Sequence, residues 1–116
     1  MTERVGFIGS RGFAMPEFVR ERVRHLRAGD VLVSGGARGV DQIAEEEARR
    51  LGFQVTIHRA DWSTGKLAGK TRNWPLVWDC TRVEAFWDGT SNGTAHGIAA
   101  AVRAHRPVQV WMEGDS

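Results

Sequence analysis

Three glycine-rich turns, each directly after a short apolar run, hold the residues of this chain that are best suited to binding chemistry. The turns cover residues 9–12, 34–39 and 88–94, and the apolar runs before them cover residues 5–8, 31–33 and 83–87. Glycine lets a backbone approach a ligand closely, and the free N–H groups at a helix N-terminus attract negative charge. The turns therefore predict a site for a phosphate-bearing nucleotide or a related compound.

Side chains in the turns, and in a basic segment between the second and third turns, could hold the phosphate and the ribose of such a ligand. Arginine and lysine pair with phosphate oxygens, while a carboxylate or an amide can hydrogen-bond a ribose hydroxyl. The candidate ligand-binding residues are Gly9, Ser10, Arg11, Ser34, Gly35, Gly36, Arg38, Gly39, Asp41, Lys70, Arg72, Asn73, Asp88, Gly89, Ser91, Gly93 and Thr94.

Each of these features also has a structural interpretation. The glycines of the second turn could serve only to let a helix pack closely on its strand. Arg38 reaches either a phosphate or solvent, and Asp41 is favourable to the dipole of the following helix in any case. Asp88 either holds a ribose hydroxyl or ends its strand, while Ser91 and Thr94 can bind an anion and also cap a helix.

Other catalytic and phosphate-binding motifs are missing from the sequence. The G-x-G-x-x-G spacing is absent, and the second strand ends at Ser34 rather than at an acidic residue. Residues 65–71 have one residue too few between their glycines for a Walker A motif, so we interpret them as a basic loop. There is no G-x-S-x-G elbow, and the histidines lack metal-ligand spacing, with His96 interpreted as a helical surface residue. No metal and no cofactor are predicted.

The tryptophans divide into two groups. Trp62 and Trp74 bracket the basic segment, where either ring could stack on a base or could instead pack in the core or an oligomer interface. Packing in the protein is the role predicted for Trp78, Trp87 and Trp111.

The elements that must position these residues can be predicted from hydrophobic periodicity. The continuous apolar runs are typical of strands buried on both faces of a parallel sheet. Alternating apolar residues near Val55 and across residues 108–112 predict two outer strands with one wetter face. Helical spacing is found at residues 16–27, at residues 40–51 and around Ile98.

A shorter helix is predicted around residues 76–80, where Pro75 either interrupts the start or forms the first turn. Residues 60–70 are predicted to be irregular and could serve as a lid. The order of elements predicts an α/β fold, a Rossmann-like three-layer sandwich of about five mainly parallel strands in the order 3-2-1-4-5. The first and third glycine turns would then flank the switch point of the sheet, where such folds bind ligands.

Composition bounds the class of protein. The 116 residues are 41% hydrophobic, which predicts a single domain over residues 1–116. The net charge of +2 is far milder than the basic stripe of a dedicated DNA-binding protein. Cys80 is the only cysteine, which excludes an internal disulfide, and neither a secretory signal nor a membrane-length apolar run is present. We therefore expect a cytoplasmic location and no membrane partner.

Four segments together resemble the SLOG superfamily, and within it the YspA-like branch. They are V-G-F-I-G-S-R at residues 5–11, L-V-S-G-G-A-R-G-V-D at residues 32–41, G-K-T-R-N at residues 69–73 and F-W-D-G-T-S-N-G-T at residues 86–94. The resemblance covers nearly the whole chain, with the motifs in the right order. It implies a Rossmann-like domain that binds nucleotides or nucleotide-derived ligands such as relatives of ADP-ribose.

Related SLOG groups suggest two alternatives to a sensor or sequestering protein. The lonely-guy phosphoribohydrolases cleave nucleoside monophosphates, and Arg72 matches their functional arginine, but Gly97 stands at the position of their catalytic glutamate. Asp41 or Asp88 would have to replace that carboxylate in an N-glycosidic hydrolase. The DNA-processing A proteins bind single-stranded nucleic acid, which is a less favoured partner here. A homodimer is also expected, partly because of the many tryptophans and partly by analogy with the family.

Overall fold

Five parallel strands form one sheet in the order β3-β2-β1-β4-β5 in a computed structural model that describes residues 1–113. The strands are β1 Arg4–Gly9, β2 Val31–Ser34, β3 Gln54–Ile57, β4 Arg82–Trp87 and β5 Val108–Met112. The helices are α1 Pro16–Arg24, α2 Val40–Arg50, α3 Ala68–Trp78 and α4 Asn92–Arg103, with a short 3₁₀ helix at Trp62–Thr64.

Helices cover both faces of the sheet. The strands alternate their side chains between the faces, so Phe7 and Phe86 pack in the core beneath α1 and α2. Ile8 and Ala85, their neighbours along the chain, pack in the core beneath α3 and α4. The protein is therefore the predicted three-layer α/β sandwich, and the predicted sheet order is confirmed.

One central strand carries a buried charge within this core. Glu84 on β4 is 0% exposed and faces α1, where it accepts a hydrogen bond from Arg22 Nε at 2.8 Å. Arg82 Nη1 and Trp111 Nε1 donate to the same carboxylate at 2.9 and 3.0 Å. The apolar run at residues 83–87 therefore contains an ion pair that links α1, β4 and β5.

The prediction for the region before β4 is wrong in two respects. Helix α3 begins at Ala68, so part of the predicted irregular segment is helical and Pro75 lies inside the helix. Proline removes one intrahelical hydrogen bond, but Leu76 and Val77 are buried against the sheet and α4. Tertiary packing of this face stabilises the helix enough for it to continue past the proline.

Two smaller predictions also need correction. Helix α1 ends at Arg24 rather than at residue 27, because the chain turns there and Asp30 Oδ2 accepts the backbone N–H of Arg27 at 2.9 Å. Trp78 was predicted to pack in the protein, but it is 65% exposed because it lies at the solvent-facing end of α3. Within residues 1–113, no helix combines the length and apolar character needed to cross a membrane.

Candidate functional site

A cavity of about 430 Å³ opens at the carboxyl ends of β1 and β4, the switch point of the sheet. The turns after β1, β2 and β4, the 3₁₀ helix, the first turns of α2 and α4, and α3 as far as Leu76 line it. Its lining residues are Ile8, Gly9, Arg11, Gly12, Ala37, Asp41, Trp62, Lys66, Gly69, Lys70, Arg72, Asn73, Leu76, Asp88, Ser91, Gly93 and Thr94. We call this the main cavity.

A second cavity of about 270 Å³ adjoins the main cavity and shares Arg11, Ala37, Trp62 and Arg72 with it. Its other lining residues are Gly35, Gly36, Arg59 and Ala60. The main cavity has four basic side chains against two carboxylates, and the second cavity adds a further arginine. This charge balance favours an anionic ligand.

The loops after β1 and β4 are fastened to each other at the N-terminus of α4. Ser10 is buried, and its hydroxyl accepts the backbone N–H of Asp88 at 3.1 Å and lies 3.2 Å from Thr94 Oγ1. Ser91 caps the helix, accepting the backbone N–H of Thr94 at 3.5 Å. The two loops therefore form one rigid edge of the main cavity.

Asp88 organises the turn that leads into α4. Its Oδ1 accepts the backbone N–H groups of Thr90 and Ser91 at 2.9 and 2.8 Å. These hydrogen bonds stabilise the anion and hold the pKa of Asp88 below its ordinary value. Asp88 therefore enters the site as a charged, turn-forming carboxylate.

Asp41 has the opposite environment. It is 4% exposed, and its Oδ2 accepts the backbone N–H of Ala37 at 3.1 Å. Burial raises the pKa of Asp41 to about 7, against the opposing effects of the Ala37 hydrogen bond and the nearby Arg72 cation. The main cavity therefore contains a carboxyl group that changes charge near neutral pH.

Arg72 joins α3 to the loop after β2. Its Nη1 donates to the backbone oxygens of Gly35 and His58, the latter at 3.2 Å, and its Nε donates to the oxygen of Gly69 at 3.3 Å. The planar guanidinium thus holds three backbone segments in a fixed relation. It stands at the boundary between the two cavities.

The predicted site residues fall into three groups. Those that line the main cavity are Gly9, Arg11, Asp41, Lys70, Arg72, Asn73, Asp88, Ser91, Gly93 and Thr94. Gly35 and Gly36 line the second cavity. The five others, Ser10, Ser34, Arg38, Gly39 and Gly89, line neither of the two.

Residues of the last group hold the fold together or face solvent. Ser34 is buried and donates to Glu45 Oε2 at 2.6 Å, which ties β2 to α2. Arg38 is exposed to solvent. Gly39 and Gly89 adopt positive φ angles of 81° and 87°, which turn the chain into or toward the next helix.

Several lining residues were outside the predicted set. Gly69 lies against the ring of Trp62. A Cβ at this position would be 3.1 Å from the indole, so the close contact favours glycine. Arg59 enters through the loop after β3, and Ile8 and Leu76 supply an apolar wall. Trp62, next to the basic segment, is the sequence feature that indicates this side of the cavity. Sequence patterns predict only that Ile8 and Leu76 belong to the hydrophobic core.

The interpretation of His96 as a surface residue holds in part. His96 is half-buried on α4, and Asn73 donates to its Nδ1 at 3.1 Å. Trp74 contacts the same imidazole edge to face, with ring centroids 5.9 Å apart. Within residues 1–113, no group of three or more His, Cys, Asp or Glu side chains is arranged to hold a metal ion.

Because Arg72 and Gly35 are in direct contact, we expect their substitutions to have non-additive effects on stability. A Cβ on Gly35 would lie 2.7 Å from Arg72 Cζ, so Gly35→Ala displaces the guanidinium. Arg72→Lys loses the same hydrogen bonds directly. Each variant should lose about 1–2 kcal/mol of unfolding free energy, measured by urea denaturation. The double variant should lose at least about 0.5 kcal/mol less than the sum. Additive losses would show that the two residues act separately.

The fold and the cavity define a class: a Rossmann-like α/β protein with a basic, glycine-lined site at the switch point of its sheet. The chain belongs to the YspA, cpYpsA-related SLOG family, whose model matches residues 3–65. The gene 61 protein of Mycobacterium phage D29 is 47% identical over 87 residues, which span 69% of this chain and 70% of that protein. Family membership supports a nucleotide-related function at the level of the family.

A solved structure supports the fold independently of sequence. The X-ray structure of TM1055, a structural genomics target, superimposes with a TM-score of 0.69 over 91% of this chain and 72% of that one. The two sequences are 20% identical over this match. The likeness therefore concerns the fold.

Proposed function

We propose that this protein binds a nucleotide or a nucleotide-derived small molecule in the main cavity, as a sensor or a sequestering protein. The observation that carries the proposal is one cavity at the switch point of the sheet that combines four basic side chains with the glycine-rich turns after β1 and β4 and with Ala37 of the turn after β2. Membership of the SLOG family supports the same class of ligand.

The phosphate of the ligand is proposed to lie at the N-terminus of α4. Ser91, Gly93 and Thr94 line the cavity there, and a helix N-terminus directs free backbone N–H groups and a partial positive charge at its ligand. Lys70 and Arg11 line the same cavity and add full positive charges. This end of the cavity therefore suits a doubly charged oxyanion.

The base is proposed to stack on Trp62. This indole is 58% exposed while lining both cavities, and Gly69 leaves the space in which the ring sits against α3. Aromatic faces stack on any base with a gain of about 1–3 kcal/mol. An exposed tryptophan at the rim of a basic cavity is therefore suited to cover a bound nucleotide.

Binding is favoured over hydrolysis by the surroundings of Gly97. Glycine supplies no carboxylate at this position, and a Cβ there would lie 2.8 Å from Ile8 Cδ1 and would displace the end of that side chain. Asp88 is already engaged by the backbone of its own turn. These two features argue against the carboxylate chemistry of the phosphoribohydrolases at the α4 side of the cavity.

A ligand screen with recovery of the bound species tests the proposal. The protein would be titrated with nucleoside mono- and diphosphates, cyclic nucleotides, NAD and ADP-ribose, following the melting temperature and then the mass of the ligand. A stabilising ligand recovered intact is the expected result. Release of free base and sugar phosphate would instead make the protein a hydrolase. A steeply salt-dependent affinity for an oligonucleotide would favour single-strand binding.

Gly93→Ala provides a sharp test of the phosphate position. A Cβ at this position meets no atom within 4 Å in the free protein, and alanine favours a helix over glycine, so we expect an unfolding free energy unchanged or raised by up to about 1 kcal/mol. The same methyl group would crowd an anion on the helix N-terminus and lower nucleotide affinity about tenfold or more. Isothermal titration checks the affinity. Asn92→Ala, one residue earlier and exposed outside the cavity, is the matched control and should bind normally.

A further inference from the structure

Asp41 has a buried oxygen that nothing in the described protein satisfies. The side chain lines the main cavity and is 4% exposed. Its Oδ2 accepts the N–H of Ala37, whereas its Oδ1 has no hydrogen-bond partner among residues 1–113. A buried acceptor without a donor costs free energy comparable to a lost hydrogen bond.

The neighbouring carboxylates do not share this property. Glu45, one turn further along α2, accepts the hydroxyl of Ser34 at 2.6 Å. Asp88, across the cavity, accepts two backbone N–H groups. Of these three side chains, only Asp41 has a buried oxygen without a partner in the part of the chain that the structure describes.

The position of Asp41 Oδ1 suggests which part of a nucleotide would form a hydrogen bond with it. The proposed phosphate subsite lies at the N-terminus of α4, and the proposed stacking ring lies at the exposed rim. Asp41 projects from the first turn of α2, on the third side of the same cavity. Oδ1 is screened from solvent in the free protein, so a ligand that reaches both of the other subsites would meet it with a hydroxyl or amino group after a small shift of the Asp41 side chain.

We propose that Asp41 is the specificity-determining residue of the main cavity, with its Oδ1 accepting a hydrogen bond from a neutral hydroxyl or amino donor of the bound nucleotide. This inference rests on the proposed function. Two parts of a nucleotide can supply such a donor: the ribose hydroxyls and the exocyclic or ring N–H groups of the base. Burial raises the pKa of Asp41 to about 7, so this carboxyl group is only partly ionised near neutral pH.

Asp41→Asn inverts the hydrogen-bonding polarity at this oxygen. The N–H of Ala37 requires an acceptor, so the amide oxygen of the new side chain should take the position of Oδ2. The amide NH₂ group then occupies the position of Oδ1 and presents a donor to the ligand. The variant keeps the size of the side chain and the anchoring of the loop.

The experiment compares the four ribonucleoside 5′-monophosphates with their 2′,3′-dideoxy counterparts by isothermal titration. The unmodified protein should prefer the ribose forms about tenfold or more, as expected for a hydrogen bond to a charged or partly charged acceptor. Asp41→Asn should reduce this preference to about twofold or less. The matched control, Glu46→Gln, removes a carboxylate from the exposed face of the same helix and should leave the preference unchanged.

The remaining outcomes separate the possibilities. A preference among the four bases that Asp41→Asn abolishes, with no difference between ribose and dideoxyribose, would support the inference and assign the donor to the base. Tight binding that ignores both sugar hydroxyls and base identity would overturn this inference and leave the proposed function standing. Failure of every nucleotide in the screen to bind would overturn both. The comparison of ligands on the unmodified protein needs no variant to fold.

Discussion

Glu84→Gln is expected to lower the unfolding free energy by about 3 kcal/mol, the loss typical of breaking a buried ion pair. Both carboxylate oxygens of Glu84 face donors only: Arg22 and Trp111 on Oε1, and Arg22 and Arg82 on Oε2. An amide in this place must turn its NH₂ group toward one set of donors. The loss should be measured by urea denaturation at pH 7.

The effect of this substitution should depend on pH in a defined direction. Burial alone would raise the pKa of Glu84, but hydrogen bonds from Arg22 and Arg82 outweigh it, so that the folded-state pKa is lowered. A carboxylate with a lowered pKa stabilises the fold above its unfolded pKa of about 4.3, and this contribution is lost as the pH falls through the folded value. The difference between the protein and its Glu84→Gln variant should therefore be constant near neutrality and shrink below about pH 4.

Glu46→Gln is the control for Glu84→Gln because it makes the same chemical change at an exposed position on α2. It should change the unfolding free energy by no more than about 0.5 kcal/mol. Equal effects of the two substitutions would show that the charge network around β4 contributes nothing beyond a surface carboxylate.

Gly39→Ala should be as destabilising, with an expected loss of about 3 kcal/mol or more. Gly39 precedes α2 with φ 81° and ψ −124°, a conformation that side chains with a Cβ rarely adopt. A Cβ there would also lie 2.6 Å from the backbone oxygen of Arg11 and 2.7 Å from its Cα. The neighbour is backbone and cannot rotate away, so the loops after β1 and β2 must separate.

Gly52→Ala measures the cost of a positive φ for a residue with a Cβ, without a steric contact. Gly52 has a similar φ of 86°, but a Cβ there meets no atom within 4 Å. The expected loss is about 1–2 kcal/mol, the cost of a left-handed backbone for a residue with a Cβ. The excess for Gly39→Ala then combines the contact with Arg11 and the cost of placing a Cβ residue at ψ −124°. If the two variants lose the same unfolding free energy, the close approach of the loops does not contribute to stability.

Local pattern and topology were enough to predict the framework of the site. Buried parallel strands need apolar runs, so residues 5–8 and 83–87 indicated the two strands that flank the switch point. The glycine turns follow at the same edge of the sheet because all parallel strands end there. The cavity accordingly opens beside Gly9 and Gly93.

The same patterns misjudged α3 because they are local. Pro75 indicates a helix boundary from its own covalent structure, but Leu76 and Val77 bury their side chains against the sheet and α4. That burial lies outside any sequence window. The helix begins seven residues before the proline, at Ala68, and so brings Arg72 and Asn73 into the site on a helix rather than on a loop.

By itself, the sequence determined the fold class, the sheet order and the edge of the sheet at which the main cavity opens, because periodicity and glycine placement are properties of neighbouring residues. Only the tertiary structure decided what each polar side chain does there. Ser10 and Ser34 form hydrogen bonds within the protein, with Asp88 and Glu45 respectively, whereas Asp41 Oδ1 has no donor among the described residues. Hydrogen-bond satisfaction and burial depend on residues far apart in the chain, which no spacing along the sequence encodes.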